Sequence, residues 1–216
     1  MEQRFGLKSQ GMSHEIFFCF MFHVSCCMYS TTGIVIKKQN KGENDQVLTL
    51  FTKDFGKVDF LCRGIRKGSA KLTGHLGLFN LSNINFVLGK QFKVITTAVE
   101  IESFIKLKKN SSKISAASHI AGLVDQYTIS EETDGDIFHL GLGALDYLNR
   151  KEMKTLELKF FLRYFEFKFL SLLGYEPEDK TIIKAFTDSQ VSLTENDLNK
   201  IEEDFSKYFR NIYSKV

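Results

Sequence analysis

The sequence predicts an α+β fold, in which an N-terminal β-barrel of five strands precedes an all-helical C-terminal domain. Residues 31–103 alternate between apolar and polar side chains, which is typical of strands, whereas residues 113–174 follow the period of a helix. The charge also reverses: residues 28–110 hold 14 Lys and Arg against 6 Asp and Glu, and residues 111–216 hold 13 against 18. A chain of 216 residues, 43% hydrophobic and with a single proline, is long enough for two compact domains.

The first 27 residues do not fit this scheme. They contain an apolar run, "IFFCFMFHVSCC", that is too short to cross a bilayer as a helix, and no small-residue cleavage site follows it. We expect residues 1–27 to be a non-native or disordered N-terminal extension, and we expect no association with a membrane. The expected domains are then the barrel at 28–106 and the helical domain at 107–216.

Five segments of the barrel domain are rich in β-branched and aromatic residues and are bounded by turn signals. The predicted strands are 31–39, 46–53, 57–63, 83–88 and 92–103. In the third strand, alternation places Val58, Phe60 and Cys62 inward and turns the charged residues, including Lys57, toward solvent. Five strands with an irregular connection after the third predict an OB-fold barrel.

The second domain is predicted to contain helices at 113–129, 136–150 and 155–174, and a last helix from Thr194 to about Lys215. The helix at 155–174 is the most apolar part of the chain. Its apolar residues occupy two flanks, separated by narrow polar edges, one of which carries Lys159, Arg163 and Glu166. This pattern predicts a central helix that packs on two sides and ends at Gly174.

No pattern of residues indicates catalysis, a cofactor or a metal. The chain lacks a phosphate-binding GxxxxGK[ST] loop and an HExxH pair, and its acidic run at 131–136 lacks the ligand spacing of a calcium loop. Cys62 is the only cysteine after Met28, so no zinc finger can form there. We therefore expect a protein that is not an enzyme and needs no cofactor.

The strongest functional signal is "CRGIRKGSAKLTGHLGLF", residues 62–79. No Asp or Glu occurs between Asp59 and Glu100, and the glycines of this segment permit close approach of the backbone to a ligand. Lysines on a surface are often merely solvated, but cations unopposed by acids favour binding to a nucleic-acid backbone, because binding releases counterions. The predicted DNA-binding residues are Arg63, Arg66, Lys67, Lys71, Lys37, Lys38, Lys57 and Lys90.

The segment from Gly42 to Leu81, "GENDQVLTLFTKDFGKVDFLCRGIRKGSAKLTGHLGLFNL", resembles the N-terminal signature of the RecO family of bacterial DNA-repair proteins. Two further landmarks, "AVEIES" (98–103) and "RYFEFKFLSLLGYEP" (163–177), follow in the expected order. Each motif alone is weak, whereas the set in this order and spacing is specific.

The resemblance implies a mediator of DNA repair and homologous recombination in the RecF pathway that carries out no catalysis. Such a protein binds single- and double-stranded DNA and anneals complementary strands. It interacts with single-stranded DNA-binding protein and, with RecR, helps to load RecA onto coated single strands. The resemblance also implies a cytoplasmic, nucleoid-associated protein of bacteria.

The sequence departs from the family signature at the zinc site, and it also allows one alternative function. Many family members carry four zinc-ligand cysteines after the LGY landmark, whereas "EDKTIIKAFTDSQ" follows here, so the zinc site should be absent. The alternative function is that of an OB-fold adaptor, which would use the basic barrel to bind acidic peptide tails of partner proteins without contacting DNA. A steep loss of affinity for single-stranded DNA with added salt would favour the first function.

Overall fold

The computed structural model describes residues 27–67, 72–175 and the single residue 203. The strands are β1 (Met28–Lys41), β2 (Asp45–Thr52), β3 (Gly56–Cys62), β4 (Leu81–Leu88) and β5 (Lys93–Glu102). The helices are α1 (Leu72–His75), α2 (Ile105–Lys108), α3 (Ser111–Tyr127), α4 (Gly135–Arg150) and α5 (Thr155–Leu172). The predicted extension at 1–27 lies outside the described residues apart from residue 27, and the predicted helix at 194–215 lies outside them apart from residue 203.

The five strands form a closed barrel in the order β1-β2-β3-β5-β4, with β4 pairing back to β1. All pairs are antiparallel except β3 with β5, which run parallel where Phe60 faces Lys93. β1 begins earlier than predicted because its first half, from Met28, pairs with β4, and a bulge between Val35 and Lys37 bends it along β2. This arrangement confirms the predicted five-stranded OB-type barrel followed by helices.

The interior of the barrel is one of two hydrophobic cores. Val58, Phe60 and Cys62 are buried there, as the alternation in β3 predicted, and the rings of Phe60 and Phe86 lie 4.9 Å apart. The connection after β3, expected only to be irregular, contains the short helix α1, and Leu76 directly after it is fully buried in the same core. The described side chains therefore fill the interior of the barrel.

A second core joins the outside of the barrel to the helices. Ile34 and Phe51 point outward from β1 and β2, and the rings of Phe51 and Phe138 of α4 lie 5.9 Å apart. The same cluster takes in Leu107 of α2 and residues from all three long helices. This contact fixes how the helices sit on the barrel, and it brings the end of α3 close to the outer face of β3.

The helix α5 is central, as predicted, but its polar edge is not where the sequence pattern placed it. Consecutive residues 165–167 are buried, which requires cover on more than one side. Glu166, predicted on an edge with Lys159 and Arg163, is only 2% exposed. Its carboxylate accepts a hydrogen bond from Arg163 at 2.7 Å and lies 2.5 Å from His119 Nε2 of α3. The helical period alone does not reveal that a neighbouring helix supplies a partner for this buried acid.

The described part of the chain contains neither a membrane-spanning helix nor a metal-binding cluster. Among these residues, no helix combines the length and the apolar character needed to cross a bilayer. Within the same ranges, no three His, Cys, Asp or Glu side chains come together in a group that could hold a metal ion.

Candidate nucleic-acid interface

The loop at residues 63–67, which leaves β3, is fixed by its backbone. Gly64 has φ +63°, a backbone conformation that is strained for residues with a side chain. Its N–H donates to the Asp45 carboxylate at 2.7 Å. The N–H of Arg66 donates to the carbonyl of Asn44 at 3.0 Å. Both partners belong to the turn between β1 and β2 and to the start of β2, so the loop is tied to that hairpin. We call residues 63–67 the basic loop.

The side chains of the basic loop divide between core and solvent. Ile65 is 3% exposed and packs in the barrel interior, which holds the loop against the barrel. Its three neighbouring cations are exposed: Arg63, Arg66 and Lys67. Within the described ranges none of these three forms an ion pair with a carboxylate, and the Arg66 guanidinium donates only to the Gly42 carbonyl, at 3.4 Å. Lys71 lies outside the described residues. The basic loop thus presents positive charge from a rigid backbone.

A cleft of about 620 Å³ lies on the outer face of β1, β2 and β3. Its walls are that face, the loop between β4 and β5, and the segment after α3. The residues that define it are Lys37, Gln39, Thr49, Lys57, Val58, Asp59, Leu88, Gly89, Lys90, Gln91, Phe92, Lys93, Asp125, Ser130 and Glu131. In OB-folds, oligonucleotides bind on the face of strands 2 and 3 between the first and the last loop of the barrel, and the cleft occupies this place.

Three lysines of the cleft are paired with acids. Lys37 Nζ lies 2.9 Å from Asp125 Oδ2, and this hydrogen bond and the charge of Asp125 raise the Lys37 pKa. Lys57 Nζ lies 3.6 Å from Asp125 Oδ1 and also donates to the Asp125 carbonyl. Lys93 pairs with Glu131. Lys57 points outward from the barrel as predicted, yet only 12% of its side chain is exposed, because Asp125 of α3 contacts it.

Lys90 differs from these three lysines. It is exposed at the loop between β4 and β5 and has no carboxylate partner within the described part of the chain. In the same loop, the ring of Phe92 lies 3.6 Å from Nζ of Lys41, a cation–π contact to the turn between β1 and β2. Arg66 of the basic loop contacts this turn at Gly42. The turn between β1 and β2, which also carries the exposed Glu43, therefore lies between the basic loop and the cleft and contacts both.

Lys38 belongs to neither region. It pairs in register with Leu48, a residue of the barrel interior, and lies half-buried near Cys62. Burial lowers the pKa of Lys38, and it raises the pKa of the Cys62 thiol to about 12. Since a partly buried cation at the end of the barrel offers little charge to a ligand, Lys38 is the weakest of the predicted binding residues.

The structure thus sorts the eight residues predicted to bind DNA. It places Arg63, Arg66 and Lys67 together in the basic loop and Lys37, Lys57 and Lys90 in the cleft, with Lys38 apart and Lys71 outside the described residues. The binding-site prediction did not include Phe92, Lys41 or Asp125. One signal could have indicated Asp125: it is an acid in the last turn of a helix, where the helix dipole disfavours negative charge.

Comparison with known proteins agrees with this architecture. A family model described as Recombination protein O N terminal matches residues 27–104, and one described as Recombination protein O C terminal matches residues 109–179. Curated relatives carry the name DNA repair protein RecO. The relative from Dehalococcoides mccartyi strain BAV1 is 33% identical over 151 residues, which cover 69% of this chain and 58% of the relative. The relative from Acetivibrio thermocellus is 29% identical over 155 residues, 72% of this chain and 61% of the relative.

The matched region spans about three fifths of the length of these two relatives. Both family models match in the expected order, the first over the barrel and the second over the helices. The landmarks noted in the sequence, the closed barrel and these matches all agree. The chain belongs to the RecO family.

Proposed function

We propose that this protein acts in DNA repair and recombination by binding the phosphate backbone of DNA, without catalysis. The observation that carries the proposal is the basic loop: Arg63, Arg66 and Lys67 are exposed on a backbone fixed by hydrogen bonds, and no described carboxylate pairs with them. Because the backbone already holds these unopposed cations together, binding a polyanion has to order their side chains but not the loop itself. The names of the relatives support the role in repair.

The geometry favours single-stranded DNA as the first ligand. A strand that lies on the basic loop can continue over the turn that holds Gly42 to Lys90 at the mouth of the cleft, since these regions are contiguous. All the cations on this route would meet phosphates, so binding should show little preference for base sequence. Neutralising two strands on such a surface would lower their repulsion and promote annealing.

The partners are proposed from the family resemblance. We propose that the protein also binds double-stranded DNA, interacts with RecR and with single-stranded DNA-binding protein, and acts indirectly on RecA. The proposed activity would take place at the nucleoid, in the cytoplasm of a bacterium. The second half of the chain, whose net charge is negative, is available for contacts with such proteins.

A salt titration tests the proposal. The affinity of the pure protein for a fluorescent dT oligonucleotide of about 15 nucleotides would be measured by anisotropy between about 50 and 200 mM salt. Four phosphate contacts, three from the basic loop and one from Lys90, predict a slope of log affinity against log salt of about −3. A polyglutamate peptide of equal charge should compete poorly. Absence of binding, a slope near zero, or equal competition by the peptide would overturn the proposal, and the last result would favour the adaptor function.

A further inference from the structure

The cleft contains a negative charge that belongs to the protein. Asp125 lies in the last turn of α3, and its carboxylate sits between Nζ of Lys37 at 2.9 Å and Nζ of Lys57 at 3.6 Å. These are the positions that a phosphate would need in order to use the same two lysines. The chain thus already places an anion on part of the face that OB-folds use for oligonucleotides.

The position of Asp125 is not one that favours the helix itself. The last turn of α3 holds no basic residue, and a carboxylate at the C-terminal end of a helix meets the negative end of the helix dipole, which is unfavourable. The lysines across the cleft offset this cost. Asp125 is therefore explained by the cleft that it faces and not by its own helix.

The segment that carries Asp125 is docked on the barrel by its backbone as well. The N–H of Glu131 donates to the carbonyl of Lys57 at 2.9 Å, and Ser130 forms a bridge with Lys57. Glu131 in turn pairs with Lys93. One short segment, 125–131, therefore brings two carboxylates to two sides of the cleft.

We propose that Asp125 limits the affinity of the cleft for nucleic acid, by holding Lys37 in an internal ion pair that a phosphate must displace. This inference rests on the proposed function. Lys37 and Lys57 differ in whether they could contact a phosphate if they were released from Asp125. Lys37 has a side chain that is 45% exposed and can reach a phosphate, whereas Lys57 is 12% exposed and stays beneath the segment 125–131. Asp125 thus keeps Lys37 from binding a phosphate, so that the basic loop and Lys90 make the main contacts with DNA.

The direct test is Asp125→Asn, which keeps the size of the side chain and removes its charge. Releasing one cation adds one phosphate contact, so the slope against salt should steepen by about 0.7 and the affinity for the dT oligonucleotide at 0.1 M salt should rise about fivefold. The matched control is Asp146→Asn: it makes the same change in net charge and releases Arg150, 78% exposed, outside the cleft. Its affinity should change by less than about twofold.

A double-mutant cycle identifies the released cation. Lys37→Ala should lower affinity about fivefold in the Asp125→Asn background, and less than that in the otherwise wild-type protein, because there Lys37 is occupied. If Asp125→Asn does not fold, as judged by circular dichroism, the comparison of Lys37→Ala with Lys90→Ala in the wild-type background decides. Equal losses from these two changes would overturn the inference.

The outcomes separate this inference from the proposed function. If the wild type binds DNA and Asp125→Asn binds no more tightly than Asp146→Asn, the inference is overturned and the proposed function stands. If the wild type shows no salt-dependent binding to the dT oligonucleotide, the proposed function fails and the inference fails with it. Tighter binding by Asp125→Asn alone, lost again on adding Lys37→Ala, supports both.

Discussion

The basic loop and the cleft contain the same kinds of residue in opposite situations. In the basic loop, backbone hydrogen bonds and the buried Ile65 hold the structure, and the cations add only one long hydrogen bond among the described residues, from Arg66 to the Gly42 carbonyl at 3.4 Å. In the cleft, Lys37, Lys57 and Lys93 help to fasten the segment 125–131 to the barrel. A lysine is therefore available to a ligand where backbone hydrogen bonds and packing, and not its own ion pair, hold the local structure.

The two regions also differ in what their sequence surroundings reveal. The acid-free stretch between Asp59 and Glu100 predicted cations without opposing charge; within the described residues Arg63, Arg66 and Lys67 form no ion pair, although the Asp45 carboxylate reaches the basic loop at the N–H of Gly64. Lys93 lies in the same stretch and is nevertheless paired, because Glu131 reaches it from another part of the chain. Absence of acids along the chain is therefore not absence of acids in space.

The largest expected effect concerns the fastening of the cleft. Gly56 has φ +62°, and a Cβ at this position would lie 2.0 Å from the carbonyl oxygen of Glu132. Gly56→Ala should lower the free energy of unfolding by about 3 kcal/mol or more, because it adds backbone strain and pushes the segment 125–131 away. Gly42→Ala is the control: φ is +66° but nothing lies within 4 Å, so a loss of about 1 kcal/mol is expected. Urea unfolding of both variants measures the difference; equal losses would show that the contact at Gly56 does not hold the cleft together.

The next effect concerns the basic loop. Replacing Arg66 and Lys67 by Ala removes two phosphate contacts, so affinity for single-stranded DNA at 0.1 M salt should fall about 25-fold, and the slope against log salt should weaken by about 1.4. The fold should survive, since exposed substitutions usually change stability by less than about 0.5 kcal/mol. The control pair, Lys151→Ala with Lys159→Ala, removes the same charge from exposed positions of the helical part. Equal losses from both pairs would mean that net charge, and not the basic loop, governs binding.

A smaller effect should separate two lysines at the mouth of the cleft. Lys90→Ala should weaken binding about fivefold, because Lys90 has no described carboxylate partner and can meet one phosphate. Lys93→Ala should weaken it by less than about twofold, because Lys93 is already paired with Glu131. Anisotropy titrations at 0.1 M salt measure both variants. The reverse order would show that pairing within the structure does not decide which cation binds.

The smallest effect is expected at Cys62, beneath the half-buried Lys38. Burial raises the pKa of this thiol from its ordinary 9.0 to about 12, so at pH 8 it stays protonated and should resist iodoacetamide until the protein is unfolded in urea. Between pH 9 and 12 the unfolded chain loses this proton before the folded one does, so its contribution lowers stability as the pH rises. Peptide mass spectrometry locates the label. Rapid labelling of Cys62 in the native protein would contradict a dry barrel at this end.

Much of the fold followed from short-range patterns, because each strand and helix records in its own sequence which face is apolar. Val58 and Phe60 were placed correctly on this basis. The errors concern pairs of residues far apart in the chain. Lys37 and Asp125 are 88 positions apart, and Glu166 is 47 positions from His119. Periodicity describes an element alone, and it carries no information on which charge a neighbouring element will bring.

The core that joins barrel and helices has a consequence for how the chain can be divided. The two family models meet between residues 104 and 109, which suggests two modules that could be expressed separately. A barrel cut there would expose Ile34, Phe51 and Phe104, all buried at 3% or less in the intact protein. Such a fragment would carry an adhesive apolar surface and would tend to aggregate. The two family models therefore divide the sequence at a place where the hydrophobic core is not divided.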